Sequence, residues 1–224
     1  MYVSLGSRHR SGRGTKTSEE IRVVEIFKHP LFNETWLDYD VGLIKLETPA
    51  THQPAKLCAA DGSNNPPGTM ATVIGWGMVN NATFAQTLRS VDVEIISDDE
   101  CTEYLVENYY NTSLKSYESS TSSVGSTSAS AEVEVDWVGP TAMCAGRGDA
   151  KDSCFGDSGG PLIVKNDVIV GIVSSGQTEE CGIVPGSYTR VSEFLPYINE
   201  IVKGGSSGNA TDLLGGIHYR EYTE

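Results

Sequence analysis

The sequence predicts an all-β fold, and three observations carry that prediction. Short runs rich in Val, Ile and Thr recur along most of the chain and are broken by Gly, Pro, Asn and Asp, the punctuation of strands and turns. Residues 90–96 alternate, with Val91, Val93 and Ile95 on one face and Asp92 and Glu94 on the other, the period of a half-buried strand. The chain has 224 residues and 24 glycines, an ordinary length for all-β barrels.

The elements follow in order. A strand is expected near residues 2–5, and a β-branched run at 21–27 ends at His29-Pro30. A second run, 40–46, ends before Thr48-Pro49, and residues 54–68, rich in Asn, Pro and Gly, read as loop. Residues 70–77 and 90–96 are the next strands. Residues 160–176 read as two apolar strands around a Lys165-Asn166-Asp167 turn, and 186–191 as a last strand. After it, Phe194, Tyr197, Ile198, Ile201 and Val202 fall at i, i+3, i+4, i+7 and i+8. This is the apolar stripe of an amphipathic helix, in which Pro196 is tolerable only in the first turn. Two stretches depart from this pattern. Residues 112–131 are Ser-rich and of low complexity, and the tail 204–224 is similar; both are expected to be flexible because they hold too little apolar area to order themselves.

Charge and composition exclude several function classes. The formal net charge of −14 argues against nucleic acid or an anionic membrane surface as a partner, since both require a basic face. No apolar run approaches the roughly 20 residues of a membrane span. Five cysteines and sequons at Asn33, Asn81, Asn111 and Asn209 suit a secreted glycoprotein, although the N-terminus holds no apolar stretch of signal-peptide length. No metal-site spacing is present, and no cofactor is expected.

One stretch carries chemistry. Residues 152–161 read DSCFGDSGGP. Small residues around Ser158 let the backbone turn sharply, and the N–H groups of Gly156 and Ser158 could converge on a developing oxyanion. A serine hydroxyl at neutral pH is a weak nucleophile without a base to take its proton.

This segment resembles the nucleophile loop of the chymotrypsin–trypsin family of serine proteases. So do, in the family's order, DYDVGLIKL (38–46), VIGWG (73–77), MCAG (143–146), SSG (174–176) and VPGSYTRV (184–191). The resemblance implies two six-stranded antiparallel β-barrels with the site in the cleft between them, and a C-terminal helix. The first barrel is incomplete here. The implied organisation is a remnant of the first barrel at 1–57, a linker at 58–68, the second barrel and helix at 69–203, and a tail at 204–224. The implied triad members are Asp40 and Ser158, with Gly156 and Ser158 as oxyanion donors. Asp152, at the base of the substrate pocket with Ser174, Gly176 and Gly186 around it, implies selection of Arg or Lys side chains. Ser175 departs from the pattern, since the family usually carries a tryptophan there. The resemblance also implies cross-links Cys101–Cys144 and Cys154–Cys181, leaving Cys58 unpaired.

The family's histidine has no counterpart. Neither His9, His29, His52 nor His218 lies in the Ala-Ala-His-Cys-like context, and His52 and His218 follow Asp40, out of order. The expectation is therefore an N-terminally truncated trypsin-like endopeptidase, an enzyme at the level of the family but inactive as written. Its expected partners are protein or peptide substrates cut after Arg or Lys, and protein inhibitors. Asp157, which in the family pairs with a freed N-terminal amine, is expected to lack that cation, which should raise its pKa or leave the loop disordered. The alternative is a pseudoprotease that acts as a protein-binding module or inhibitor.

Overall fold

The computed structural model describes residues 1–12, 16–79, 83–108, 138–176 and 180–204. The Ser-rich stretch, the tail beyond residue 204, the sequon asparagines Asn81, Asn111 and Asn209, and His218 lie outside the described residues.

The first strands, β1 (Tyr2–Leu5), β2 (Glu19–Lys28) and β3 (Gly42–Leu46), form a three-stranded antiparallel sheet in that order. Among the described residues this sheet does not close. After the two-residue β4 (Lys56–Leu57), the chain enters β5 (Met70–Gly75), a small hairpin of β6 (Met78–Val79) and β7 (Thr83–Phe84), and β8 (Arg89–Ile96). A helix, α1, covers residues 98–108. Then come β9 (Ala142–Ala145), β10 (Pro161–Val164), β11 (Val168–Ser175), β12 (Gly186–Arg190) and helix α2 (Val191–Val202). Strands β5, β8, β9, β12, β11 and β10 pair antiparallel in succession, and β10 pairs back to β5. The result is a closed six-stranded barrel, which leaves no free edge between its strands. β4 adds to β11 in parallel.

Alternation fills this barrel. Ala71, Val73, Val93, Ile95, Leu162, Val170 and Tyr188 are buried together at its centre. Ile96, out of phase with that face, is also buried, beneath α1 in a cluster with Cys101, Leu105 and Cys144. The β10–β11 turn places Asn166 and Asp167 at φ +69° and +57°, a left-handed conformation that Asn and Asp tolerate better than other side chains.

A smaller core ties the open sheet to α2. Phe27 and Val41 pack with Phe194, Tyr197 and Ile201, and the Tyr197 hydroxyl donates to the Phe27 carbonyl at 3.1 Å. Helix α2 departs from expectation in two places. Pro196 is its sixth residue, in the second turn, where it removes the N–H that would meet the Ser192 carbonyl. Val202, at the frayed end, is exposed; Val191 is buried at the other end of the helix.

The disulfides join Cys101 to Cys144 and Cys154 to Cys181, with Cα separations of 6.1 and 5.5 Å. Closing chain segments of 43 and 27 residues should contribute roughly 3–4 kcal/mol each in the chain-entropy account. Cys58 is free and buried, and burial pushes its thiol pKa up, which makes it an inert core side chain.

Candidate functional site

The loop holding Ser158 is built from backbone hydrogen bonds. The Asp157 N–H donates to the Cys154 carbonyl at 2.9 Å, Gly160 N–H to the Asp157 carbonyl at 2.7 Å, and Gly159 N–H to the Val173 carbonyl on β11 at 2.8 Å. Gly156 and Gly159 sit at φ +95° and +81°, values that other residues reach only with strain. The Asp157 carboxylate turns inward rather than standing alone. It accepts the Gly77 N–H at 2.7 Å and the Cys154 N–H at 3.0 Å. It lies so close to Gly75 and Gly77 that a Cβ at either position would collide with it. The loop is therefore ordered and not disordered: two backbone donors hold the carboxylate where the sequence pattern offered no cation.

Asp40 precedes β3, and contacts from the barrel fix it. Its carboxylate accepts the Ser174 hydroxyl at 2.7 Å, and its carbonyl accepts the Thr189 hydroxyl at 2.7 Å. The strands β11 and β12 therefore hold the acid that begins the open sheet's last strand. Among the described residues no histidine bonds to Asp40 or to Ser158. His9 bridges through its backbone to Thr87. His52 pairs with Glu19 at 2.7 Å. His29 is buried in an aromatic cluster, stacked 5.1 Å from Tyr39 and edge-on to Phe194 and Tyr197. Its Nδ1 accepts the Leu31 N–H at 3.3 Å, its Nε2 meets no hydrogen-bond partner among the described residues, and burial lowers its pKa to about 4.

Asp152 lies beneath Gly186, at a point where a Cβ on the glycine would strike its carboxylate. The Ser153 N–H at 2.6 Å and the Tyr188 hydroxyl at 3.3 Å both donate to it. Burial outweighs these bonds and pushes its pKa up to about 6. Ser174 and Ser175 line a separate cleft of about 60 Å³ together with Trp36, Leu37 and Asp38; Asp152 is not part of it. The structure thus joins Asp40 to Ser174, Asp152 to Gly186 and Asp157 to Gly77. It brings no described base to Ser158. A serine without one has little nucleophilic power.

Two features were not read from the sequence. The β6–β7 hairpin lies over the serine loop: the Met78 N–H donates to the Phe155 carbonyl at 2.9 Å, and a Cβ on Gly156 would lie 2.7 Å from the Phe84 ring. Arg10 covers that ring at 4.2 Å. Strands of two residues carry no periodicity, so this hairpin had no sequence signal. The second is the loop before Asp40, which presents Trp36 to solvent. A lone Trp between Asn-Glu-Thr and Leu-Asp was its available signal. Among the described residues, no group of three or more His, Cys, Asp and Glu side chains could hold a metal ion. No described helix is long and apolar enough to cross a membrane.

Glucanase inhibitor protein 3 of Phytophthora infestans is 34% identical to this chain over 213 residues, 91% of this chain and 69% of that protein. Glucanase inhibitor protein 4 of the same organism is 34% identical over 190 residues, 81% of this chain and 62% of its own length. Granzyme-like protein 1 of Rattus norvegicus is 32% identical over 206 residues, 90% of this chain and 70% of that protein. The chain thus spans about two thirds of the length of these relatives. These names overturn the endopeptidase reading. The chain is similar to proteins named for inhibiting another enzyme, and no described histidine stands at Ser158 to activate it. The family model described as trypsin matches residues 1–198, and the chain belongs to the trypsin family.

Proposed function

We propose that this chain is a non-catalytic member of its family that works by binding a protein, as an inhibitor of a glucanase. The observation that carries the reading is the similarity, along about nine tenths of the chain, to glucanase inhibitor proteins of two Phytophthora species. The site supports it physically. Asp40 is engaged by Ser174, and Ser158 has no base among the described residues, so the serine loop works as scaffold. An inhibitor needs only a rigid surface, which the closed barrel and two cross-links provide. Secretion belongs to the same proposal, since disulfides persist in oxidising compartments. So does the division into units 1–57 and 69–203 joined by 58–68.

The test is a titration. Purified chain is added to an endo-β-glucanase, and reducing-sugar release is followed. The reading expects loss of glucanase activity that saturates at a fixed molar ratio. Undiminished sugar release from both β-1,3- and β-1,4-acting enzymes at saturating chain contradicts it.

A further inference from the structure

We propose that the loop 33–40 is the inhibitory anchor and that Trp36 enters the sugar-binding cleft of the glucanase. This inference rests on the inhibitor reading and adds to it the contacting surface.

Trp36 is 76% exposed, with Leu37 also exposed beside it. Interface energy concentrates in a few residues, with Trp among the most enriched, so a large exposed aromatic on a fixed support is a natural anchor. The support is fixed. The Asn33 side-chain oxygen accepts the N–H groups of Thr35 at 2.9 Å and Trp36 at 3.3 Å, and the Asn33 N–H closes the loop onto the Asp38 carbonyl at 3.1 Å. Leu37 and Tyr39 sit at φ +56° and +54°. Non-glycine residues hold such angles only where their surroundings over-determine them. Here the surroundings are the stack of Tyr39 on His29 and the two barrel contacts of Asp40. A pre-ordered loop loses little conformational entropy on binding.

The chemistry of the tip selects the partner's cleft. Sugar-binding sites are concave, mostly apolar and aromatic, with a few placed polar groups. A glycoside hydrolase cleft also carries two carboxylates flanking the scissile bond. The indole ring offers a flat apolar face and one N–H donor, with no acceptor to desolvate. The ring would stack where a sugar ring stacks, and the N–H would meet a carboxylate. Among the described residues no acceptor engages that N–H. Val24, Ile26 and Ile44 are spread over a sheet face, and Val202 ends a helix. The loop residues Phe155 and Ile183 are exposed to 54% and 47%, less than Trp36, and neither side chain carries a hydrogen-bond donor.

The experiment uses the full chain and an endo-β-glucanase that the wild type inhibits, chosen by screening one β-1,3-acting and one β-1,4-acting enzyme. Trp36→Ala should raise the inhibition constant about 30-fold or more, the hot-spot threshold expressed as a ratio. Trp36→Phe, which keeps a ring and loses the donor, should fall between. Val202→Ser, at an equally exposed apolar position, should leave inhibition unchanged. Inhibition by the wild type should be competitive with a soluble β-glucan oligosaccharide. Melting temperatures matched to wild type establish that the variants fold. An inhibition constant for Trp36→Ala and Trp36→Phe within threefold of wild type overturns the anchor, as does inhibition that the oligosaccharide does not relieve. Absence of inhibition by the wild type overturns the inhibitor reading itself.

Discussion

The barrel of β5 and β8–β12 and the sheet of β1–β3 are made from the same kinds of residues and bury them differently. In the barrel, Val93, Ile95 and Leu162 all point into a sealed interior. In the sheet, Ile26 sits opposite Ile44 in register, yet they are 63% and 47% exposed. The other side of the same sheet buries Ile21 and Phe27, and Phe27 packs on α2. Strand-forming side chains therefore settle where a strand runs, while closure of the sheet settles whether both sides of it become core.

That contrast can be broken by mutation. Leu162→Ala, at a fully buried barrel position, should destabilise the protein by about 2–5 kcal/mol through the cavity it leaves, measured by denaturant titration. The same measurement on Ile26→Thr should shift stability by about 0.5 kcal/mol or less, because little leaves the core. A comparable loss in both variants would mean that the outer face of the open sheet is covered in solution.

Acid provides a second, smaller contrast. His29 belongs to the core joining sheet and helix and has a pKa lowered from 6.5 to about 4. Its contribution to stability is present above pH 6.5 and is lost as pH falls toward 4, by about 3 kcal/mol. Asp152 belongs to the barrel and has a pKa raised from 3.8 to about 6. Its sign is opposite: stability present below pH 3.8 is lost as pH rises through 6. The two slopes oppose one another over most of this window. Asp152→Asn should remove one of them, so that stability climbs more steeply between pH 4 and 6.5 than in wild type. A profile unchanged by Asp152→Asn would contradict the raised pKa that burial gives that carboxyl.

The strands and the serine loop were legible because their signals are local. Val91, Val93 and Ile95 alternate within one strand, and Gly156 and Gly159 supply the turn around Ser158. The cross-links Cys101–Cys144 and Cys154–Cys181 followed from the family resemblance, whereas the Asp40–Ser174 contact joins residues 134 positions apart and was not read from the sequence. Other features depend on distant groups. Ile96 is buried by α1, whose signals were present but unread: Ser97 accepts the Glu100 N–H as a helix cap, and Cys101, Tyr104 and Leu105 form a short apolar stripe. Asp157 finds its donors at Gly77 and Cys154, and nothing near it in the sequence announces the first of these. Pro196 is accommodated in the second turn because packing of Phe194, Tyr197 and Ile201 on Phe27 and Val41 outweighs one lost helix bond. The proposed function was hidden for a different reason: Asp40, Asp152 and Ser158 are the residue types of a protease, and the residue types alone do not separate an active from an inactive member of the family.

The measurement closest to the central claim compares wild type with Ser158→Ala as inhibitors of the same glucanase, with the glucanase examined afterwards by mass spectrometry. Inhibition by binding predicts equal inhibition constants for the two proteins and an intact glucanase. Loss of inhibition in Ser158→Ala, accompanied by cleavage fragments of the glucanase in the wild-type sample, would contradict it.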